Sequence, residues 1–350
     1  ALRNVFAEAL TSAARARLDE LLQEAAHWFS HKVEPPTENK LRYPNAFLGD
    51  AVCLWLIRER AGGIDDAWRA TFRRILAYYR DEHWGWGEHL SDGYAKVCQA
   101  ELTALLLWGH SMDEETRALA RERMGELVAI DRAFAGGPRT PAIRSYQLDA
   151  SPGPAARREW QFYPFAELMR REGPESVSGC QRLFAHLAAR EGLSLGEPPP
   201  PPATPARSVE CHGGSRALAW VTPRYRYGGM TRYPLFPDTN RSEKWGLAWQ
   251  SMPVAFWHAD GDWGYLQWAA EENGQVHAHP GLSRRHTQVN RLCRLSDEDP
   301  GACHGWTSAT RHEDAFLVLR EMPKIAASWT WLADRFRLIS PSASAAEVDE

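Results

Sequence analysis

Apolar residues in the first half of the chain recur every three or four positions, which predicts amphipathic helices. In the first predicted helix the buried stripe comprises Leu18, Leu21, Leu22, Ala25 and Trp28. A second stripe, in a helix that Asp65 or Asp66 caps, comprises Trp68, Phe72, Ile75, Leu76 and Tyr79. The predicted helices span residues 11–29, 45–61, 64–82, 93–108, 113–135, 165–171 and 175–190. Because most connections are short, we expect antiparallel helix hairpins.

The pattern changes after five consecutive prolines, Pro198–Pro202, a run typical of a semi-rigid extended spacer. Short β-like segments punctuated by Gly, Asp, Asn and Pro follow, and several strands at this spacing indicate an antiparallel sandwich. The predicted fold is a two-domain α+β protein. Its parts are a helical domain (1–192), a Pro-rich linker (193–206), a β-sandwich domain (207–340) and a flexible tail (341–350).

Composition narrows the class of protein only modestly. The net charge of −4 argues against a general nucleic-acid binder. No apolar run approaches the roughly 18 residues of a membrane span, and the first residues lack a Met and the apolar stretch of a signal peptide. We therefore expect a soluble protein without a membrane partner. Six cysteines in 350 residues do not form a disulfide scaffold, so the compartment stays open.

The segment from Trp84 to Tyr94 concentrates residue types that suit chemistry on sugars. It holds Glu88, His89 and Tyr94, with Ser91 or Asp92 positioned to cap the helix that follows. Groups before a helix N-terminus experience its positive dipole, and a histidine there can exchange protons near neutral pH. We expect His89 to act as a general acid or base, with Tyr94 and Glu88 beside it; the alternative is that His89 is a scaffold residue and Tyr94 a core residue.

Tryptophan is unusually frequent, with 16 in the chain. Several precede glycine, including Trp84, Trp86 and Trp245, and a neighbour without a side chain leaves a ring face open for stacking on a sugar. The alternative is that glycine bends the chain beside a core tryptophan.

A basic, aromatic segment runs from residue 224 to residue 249. It holds four arginines and one lysine against Asp238 and Glu243, a net charge of +3. In a strand, Arg224 and Arg226 would share one face while Tyr225 and Tyr227 share the other. Because arginine binds carboxylates in a bidentate fork, the segment suggests an acidic ligand. The alternative is an ordinary solvated strand face.

Histidines give a weak indication of a metal. His277 and His279 would share a strand face and could bind a metal with a third ligand such as His286 or His258. No phosphate-binding loop, nucleophile elbow or zinc-protease helix occurs, and we expect no cofactor.

A helical half followed by a β-sandwich, with an acid-His…Tyr segment opening an inner helix, resembles the polysaccharide lyases of the heparinase II/III and alginate-lyase type. The motif match covers Glu88, His89 and Tyr94; many such lyases carry Asn or Gln where this chain has Glu88. A full toroid of this family has about twelve helices, so about seven predicted here imply a partial α/α toroid.

The resemblance implies β-elimination at a uronic acid of an acidic oligo- or polysaccharide. His89 and Tyr94 would transfer the protons, and a neutralising group would hold the substrate carboxylate, since that charge stabilises the enolate-like transition state. The candidates for the neutralising group are Arg226, Arg232 and Asn240, and those for the sugar subsites are Trp84, Trp86, Trp245 and Trp249.

Two alternatives remain open. A glycoside hydrolase on the same scaffold would use two carboxylates, such as Glu88 or Asp92 with Asp238. A non-catalytic glycan-binding protein would keep the tryptophans and need no titrating pair.

Overall fold

The computed structural model describes residues 8–85, 87–135, 139, 141, 187, 190–193, 200–231, 254–258, 263–272, 275–277, 306–321, 332–340 and 343–348. The chain divides into two compact units that alternate along the sequence. The helical unit takes residues 1–88, 94–129 and 162–198, and the sheet unit takes residues 89–93, 130–161 and 199–350. The predicted linker near the prolines therefore coincides with only one of several crossings between the units.

The helices of the first part begin close to the predicted positions, and the predicted cap Asp65 is confirmed. The helices are α1 (Ser12–Val33), α2 (Glu38–Leu41), α3 (Pro44–Arg60), α4 (Asp66–Asp81), α5 (Asp92–Trp108) and α6 (Glu114–Ala133). Thr11 accepts from the backbone N–H of Ala14 at 3.2 Å, and Asp65 accepts from that of Trp68 at 2.7 Å. Five of the predicted helices are thus confirmed within a few residues, and the predicted helix 165–171 and nearly all of 175–190 lie outside the described residues.

The core of the helical unit is built mainly from buried apolar residues of α3, α4 and α5. The whole α4 stripe is buried, with Phe72, Ile75, Leu76 and Tyr79 completely inaccessible, as predicted. The α1 stripe differs, because Leu21 is 42% and Trp28 is 51% exposed. The largest fully buried apolar side chains of this unit are Trp55, Trp68, Phe72 and Tyr79.

The sheet unit contains only antiparallel strand pairs among the residues described. The strands are β1 (Ala206–Glu210), β2 (Arg216–Val221), β3 (Tyr225–Met230), β4 (Val254–His258), β5 (Trp263–Glu272), β6 (Gln275–His277), β7 (Trp306–His312), β8 (Ala315–Glu321), β9 (Leu332–Ser340) and β10 (Ala343–Val348). One sheet has the order β1-β2-β3-β4-β5-β9-β10 with β6 on β5, and β7 with β8 forms a separate two-stranded sheet. The chain is therefore an α+β protein, and the partial toroid and the sandwich stay predictions.

Part of the predicted tail forms a strand, and the flexibility expected of residues 341–350 stays a prediction. Residues 343–348 form β10, which pairs with β9 along the register Val348 to Phe336. This pairing gives the backbone of the segment hydrogen-bond partners in β9. In the part of the chain that the structure describes, no helix has the length and apolarity of a membrane span.

Candidate functional site

The segment predicted as the site begins with a run of left-handed backbone after α4. His83 (φ 44°) and Trp84 (φ 61°) adopt positive φ, and so do Gly85 (φ 56°) and Gly87 (φ 80°). Positive φ costs a residue with a side chain about 1–2 kcal/mol, so surrounding contacts must hold His83 and Trp84 in place. Trp86 lies outside the described residues.

The contacts of the buried Trp84 side chain stabilise this conformation. Its ring stacks on Tyr79 with centroids 5.4 Å apart and planes 8° from parallel, and only 2% of the residue is exposed. Its indole N–H donates to Glu126 Oε2 at 3.1 Å. A tryptophan before a glycine was expected either to stack on a sugar or to be a core residue beside a bend. Trp84 is a core residue, because its buried ring leaves no face available to a sugar.

Glu126 is a residue that sequence reasoning missed. Burial raises the pKa of Glu126, while Arg123 and the bond from Trp84 oppose that shift. Arg123 Nη1 lies 2.8 Å from Glu126 Oε1. The only signal in the sequence was an acid on the polar side of α6, and nothing local connects that position to Trp84, which lies 42 residues away.

His89 lies in a 3-10 turn, Glu88–Leu90, directly before α5. The residue is 2% exposed, and its Nε2 donates to the backbone carbonyl of Glu210 at 3.0 Å. A carbonyl only accepts, so the neutral ring carries its proton on Nε2 and Nδ1 is the basic nitrogen. His89 therefore ties this turn to the end of β1, and its catalytic role stays a prediction.

Cys211 lies beside His89 without forming a nucleophile. Its Sγ is 4.0 Å from His89 Nε2, and burial raises the pKa of the Cys211 thiol to about 12. Because the reactive form is the thiolate, this cysteine is inert near neutral pH.

For Tyr94 and Glu88, the other members of the predicted catalytic group, the structure gives fewer details than for His89. Tyr94 is half-buried in the first turn of α5 and belongs to the helical unit, whereas His89 belongs to the sheet unit. Glu88 is described only in its backbone, within the 3-10 turn. α5 begins at Asp92, which leaves Ser91 as the residue before its first turn.

Arg226 requires a correction, because the structure buries the guanidinium that was expected to hold a substrate carboxylate. Arg226 is 1% exposed and donates to the carbonyls of Phe134 at 2.8 Å and Ala135 at 3.1 Å. Its guanidinium also lies 4.9 Å from the ring centroid of Trp257. The carbonyls at the end of α6 carry partial negative charge, so Arg226 neutralises a helix terminus.

A second arginine, Arg207, also donates to a carbonyl at the end of α6. Arg207 Nε donates to the carbonyl of Ala133 at 2.6 Å. A third arginine, Arg139, forms a buried ion pair with Asp131 and donates to the carbonyl of Ser91 at 2.7 Å. Arg207 and Arg226 thus lie where the dipole of α6 is negative, and the sequence showed these arginines but not their distant carbonyl partners.

The tyrosine face of β3 is the outward one. Tyr225 is 40% exposed and stacks on Tyr227 with ring centroids 6.0 Å apart and planes 5° from parallel. Tyr227 also contacts Phe316 of β8 edge-on at 5.3 Å. The prediction that Tyr225 and Tyr227 lie opposite Arg226 is confirmed. Arg226 is on the buried face of β3, whereas Arg224 precedes the strand and is exposed.

Neighbouring strands extend this outer face. Trp220 pairs with Tyr227 across β2 and β3 and is half-buried. The Arg311 guanidinium of β7 lies 5.6 Å from the Trp220 ring centroid, within the range of a cation–π contact. We call Trp220, Tyr225, Tyr227 and Arg311 the aromatic face.

Several predicted site residues lie outside the described residues, and the roles expected of them stay predictions. These are Trp86, Arg232, Asp238, Asn240, Trp245, Trp249, His279 and His286. His277 ends β6, opposite Ala270 of β5, and only its backbone is described. Within the described ranges, no group of three or more His, Cys, Asp or Glu residues could hold a metal ion.

Comparison with protein-family models, with curated proteins and with solved structures found no match to this chain.

Proposed function

We propose that this protein binds an acidic glycan on the aromatic face. The single observation that carries the proposal is the outward position of Tyr225, which is 40% exposed beside Tyr227 and Trp220. Soluble proteins bury most large aromatic side chains, and rings left on one face of a sheet are typical of surfaces that stack on flat apolar ligands. The C–H faces of pyranose rings are such ligands.

Charge favours a sugar that carries carboxylates. The guanidinium of Arg311 lies over Trp220, and Arg224, directly before β3, is exposed. Arginine donates to carboxylates in a fork that fits a uronic acid. Glu313 and Asp314, in the turn between β7 and β8, oppose this charge, so aromatic stacking supplies the larger part of the affinity.

A binding experiment tests this surface. Oligouronates of defined length are titrated into the full chain by calorimetry, with uncharged oligosaccharides of equal length in parallel. We expect Tyr225→Ala to weaken oligouronate binding about fivefold or more, since a stacked ring contributes about 1 kcal/mol, and Tyr225→Phe to retain most of it. Trp28→Ala, which removes an exposed ring of the helical unit, is the matched control. Equal affinity of wild type and Tyr225→Ala would exclude the aromatic face as the binding site.

A second candidate function is polysaccharide lyase activity, with the helices as part of an α/α toroid and the sheets as a sandwich. The left-handed backbone at His83 and Trp84 supports it, because strain of this kind concentrates at functional sites, and this run leads directly into His89. Arg232 or Asn240, rather than Arg226, would neutralise the substrate carboxylate, and Trp86, Trp245 and Trp249 would line the subsites.

The elimination needs two proton transfers. A base removes the proton α to the uronate carboxylate, the electron pair forms the C=C bond, and the bond to the glycosidic oxygen breaks while an acid protonates that oxygen. His89 Nδ1 is the basic atom of the neutral ring and would act as base, with Tyr94 as acid. Because only 2% of His89 is exposed, this role requires the turn Glu88–Leu90 to move when substrate binds. Glu88 would assist them from the same turn.

The product's conjugated double bond gives a direct assay. A panel of uronic-acid polymers is incubated with the chain and followed by ultraviolet absorbance. We expect His89→Ala and Tyr94→Phe each to abolish the signal in chains whose circular dichroism is unchanged. Reducing ends without absorbance would instead support the hydrolase, and binding without either product a non-catalytic glycan-binding protein.

A further inference from the structure

Two exposed histidines meet near the end of α1, outside every site described above. His27 and His31 stand one turn apart, and their Nε2 atoms are 3.1 Å from each other. The ring centroids are 4.5 Å apart and the planes are 86° from parallel. Both nitrogens therefore converge on one point at the helix surface.

We propose that His27 and His31 bind a divalent transition metal through their Nε2 atoms. Imidazole nitrogens bind such metals at about 2.0–2.1 Å. With the two nitrogens 3.1 Å apart, an ion at that distance from each makes an N–metal–N angle of about 95–102°. This angle lies between the octahedral and the tetrahedral value, so the pair accepts a metal with little rearrangement.

The surroundings leave this position accessible. Lys32, the next residue, directs its charge away from the pair, because its Nζ lies 4.0 Å from the Trp28 ring centroid and 4.0 Å from Asp50 Oδ2. Among the described residues no third His, Cys, Asp or Glu completes a three-ligand group, so water fills the remaining positions. The site takes a metal with open coordination positions.

The ligand type determines which metals bind. Two neutral imidazoles suit Cu²⁺, Ni²⁺ and Zn²⁺, with Cu²⁺ bound most tightly, and they do not suit the oxygen-seeking Mg²⁺ and Ca²⁺. A bound ion would bridge successive turns of α1 and stabilise the last part of that helix. Metal binding would then raise the thermal stability of the folded chain.

Calorimetry with Cu²⁺, Ni²⁺ and Zn²⁺ chlorides on the full chain tests the site. We expect His27→Ala and His31→Ala each to remove one metal equivalent. His110→Ala, which removes another exposed histidine, should leave the stoichiometry unchanged. The paired substitution His31→Ala with Lys32→His keeps the number of histidines but moves the second one from the i+4 to the i+5 position, and we expect it to bind no better than His31→Ala.

Paramagnetic resonance of the Cu²⁺ complex adds a readout that does not depend on stoichiometry. Two equivalent nitrogen ligands should appear in wild type and one in either single variant. The proposal is overturned if the double alanine variant binds the same number of ions with the same affinity as wild type. It is equally overturned if wild type binds no Cu²⁺ up to about 1 mM, a concentration that corresponds to a binding free energy of about −4 kcal/mol.

Discussion

At the scale of single residues, Arg226 shows how the surroundings of a side chain decide its function. A guanidinium suits a substrate carboxylate and a helix terminus equally well, since both offer oxygens with negative charge. Here its donors bind the Phe134 and Ala135 carbonyls.

Replacing this side chain tests the structural role. We expect Arg226→Met to lower the free energy of unfolding by about 3 kcal/mol or more, because charge-assisted bonds are lost and buried carbonyls remain unsatisfied. Arg216→Ala is the control, since it removes an exposed ion pair to Glu210 and should cost less than about 1 kcal/mol. Urea unfolding measures both. Similar losses for the two variants would show that Arg226 does not stabilise the end of α6.

Glu126 makes a prediction about pH. Its folded-state pKa is raised by burial, so the folded chain holds this proton at pH values where the unfolded chain has lost it. The resulting stabilisation is complete below the unfolded pKa of about 4.3 and is lost as pH rises through the folded pKa. Glu126→Gln stays neutral throughout.

We therefore expect the stability of wild type relative to Glu126→Gln to decrease as pH rises from about 4 through the raised pKa of the folded chain. Urea unfolding at several pH values measures the difference. Glu122→Gln, which removes the other acid beside Arg123, controls for the loss of a partner of that arginine. A difference that stays constant or grows with pH would contradict the assignment.

At the scale of elements, the turn after α4 depends on a glycine that meets the backbone of another segment. A Cβ on Gly85 would lie 2.9 Å from Arg42 Cα and 3.0 Å from Arg42 O, and the residue has φ 56°. Gly62 has a similar φ of 72°, but a Cβ there would meet nothing within 4 Å.

This pair separates backbone strain from overpacking. We expect Gly62→Ala to cost about 1–2 kcal/mol from the positive φ alone. Gly85→Ala should cost roughly 2 kcal/mol more, since backbone atoms of Arg42 must move. The midpoints of thermal unfolding of the two variants are compared. Equal midpoints would show that the backbone of the turn shifts at little cost in free energy.

The helices were predictable from the sequence because their caps and stripes are local, as Asp65 and the α4 stripe show. The exposed Leu21 and Trp28 were not, since a stripe gives the apolar side of a helix but not whether a neighbour covers it. The left-handed turn after α4 could not be predicted either, because positive φ is uncommon in residues other than glycine, such as His83 and Trp84. For β3, alternation placed Arg226 opposite the tyrosines, but carbonyls 91 and 92 residues away decided which face is buried.

At the scale of the whole molecule, the two units interleave along the chain. The sheet unit takes residues 89–93 and 130–161 as well as 199–350. A cut at the proline run therefore separates Arg207 and Arg226 from the carbonyls that they bind.

Fragments test this dependence. We expect residues 130–350 to show more cooperative unfolding and less aggregation than residues 199–350, because the shorter fragment leaves two buried guanidiniums without those acceptors. Circular dichroism and gel filtration compare them. A fragment 199–350 that folds as well as the longer one would show that the sheet does not require the end of α6.

The hydrogen bonds from the arginines to the end of α6 can form only late in the synthesis of the chain. The Phe134 carbonyl leaves the ribosome 92 residues before Arg226, its donor. At about 5–20 residues per second, the end of α6 waits roughly 4–20 s for the side chain that neutralises it. During that interval a nascent chain has water or a chaperone at these carbonyls, so the last turn of α6 would be among the later parts of the molecule to gain protection from hydrogen exchange.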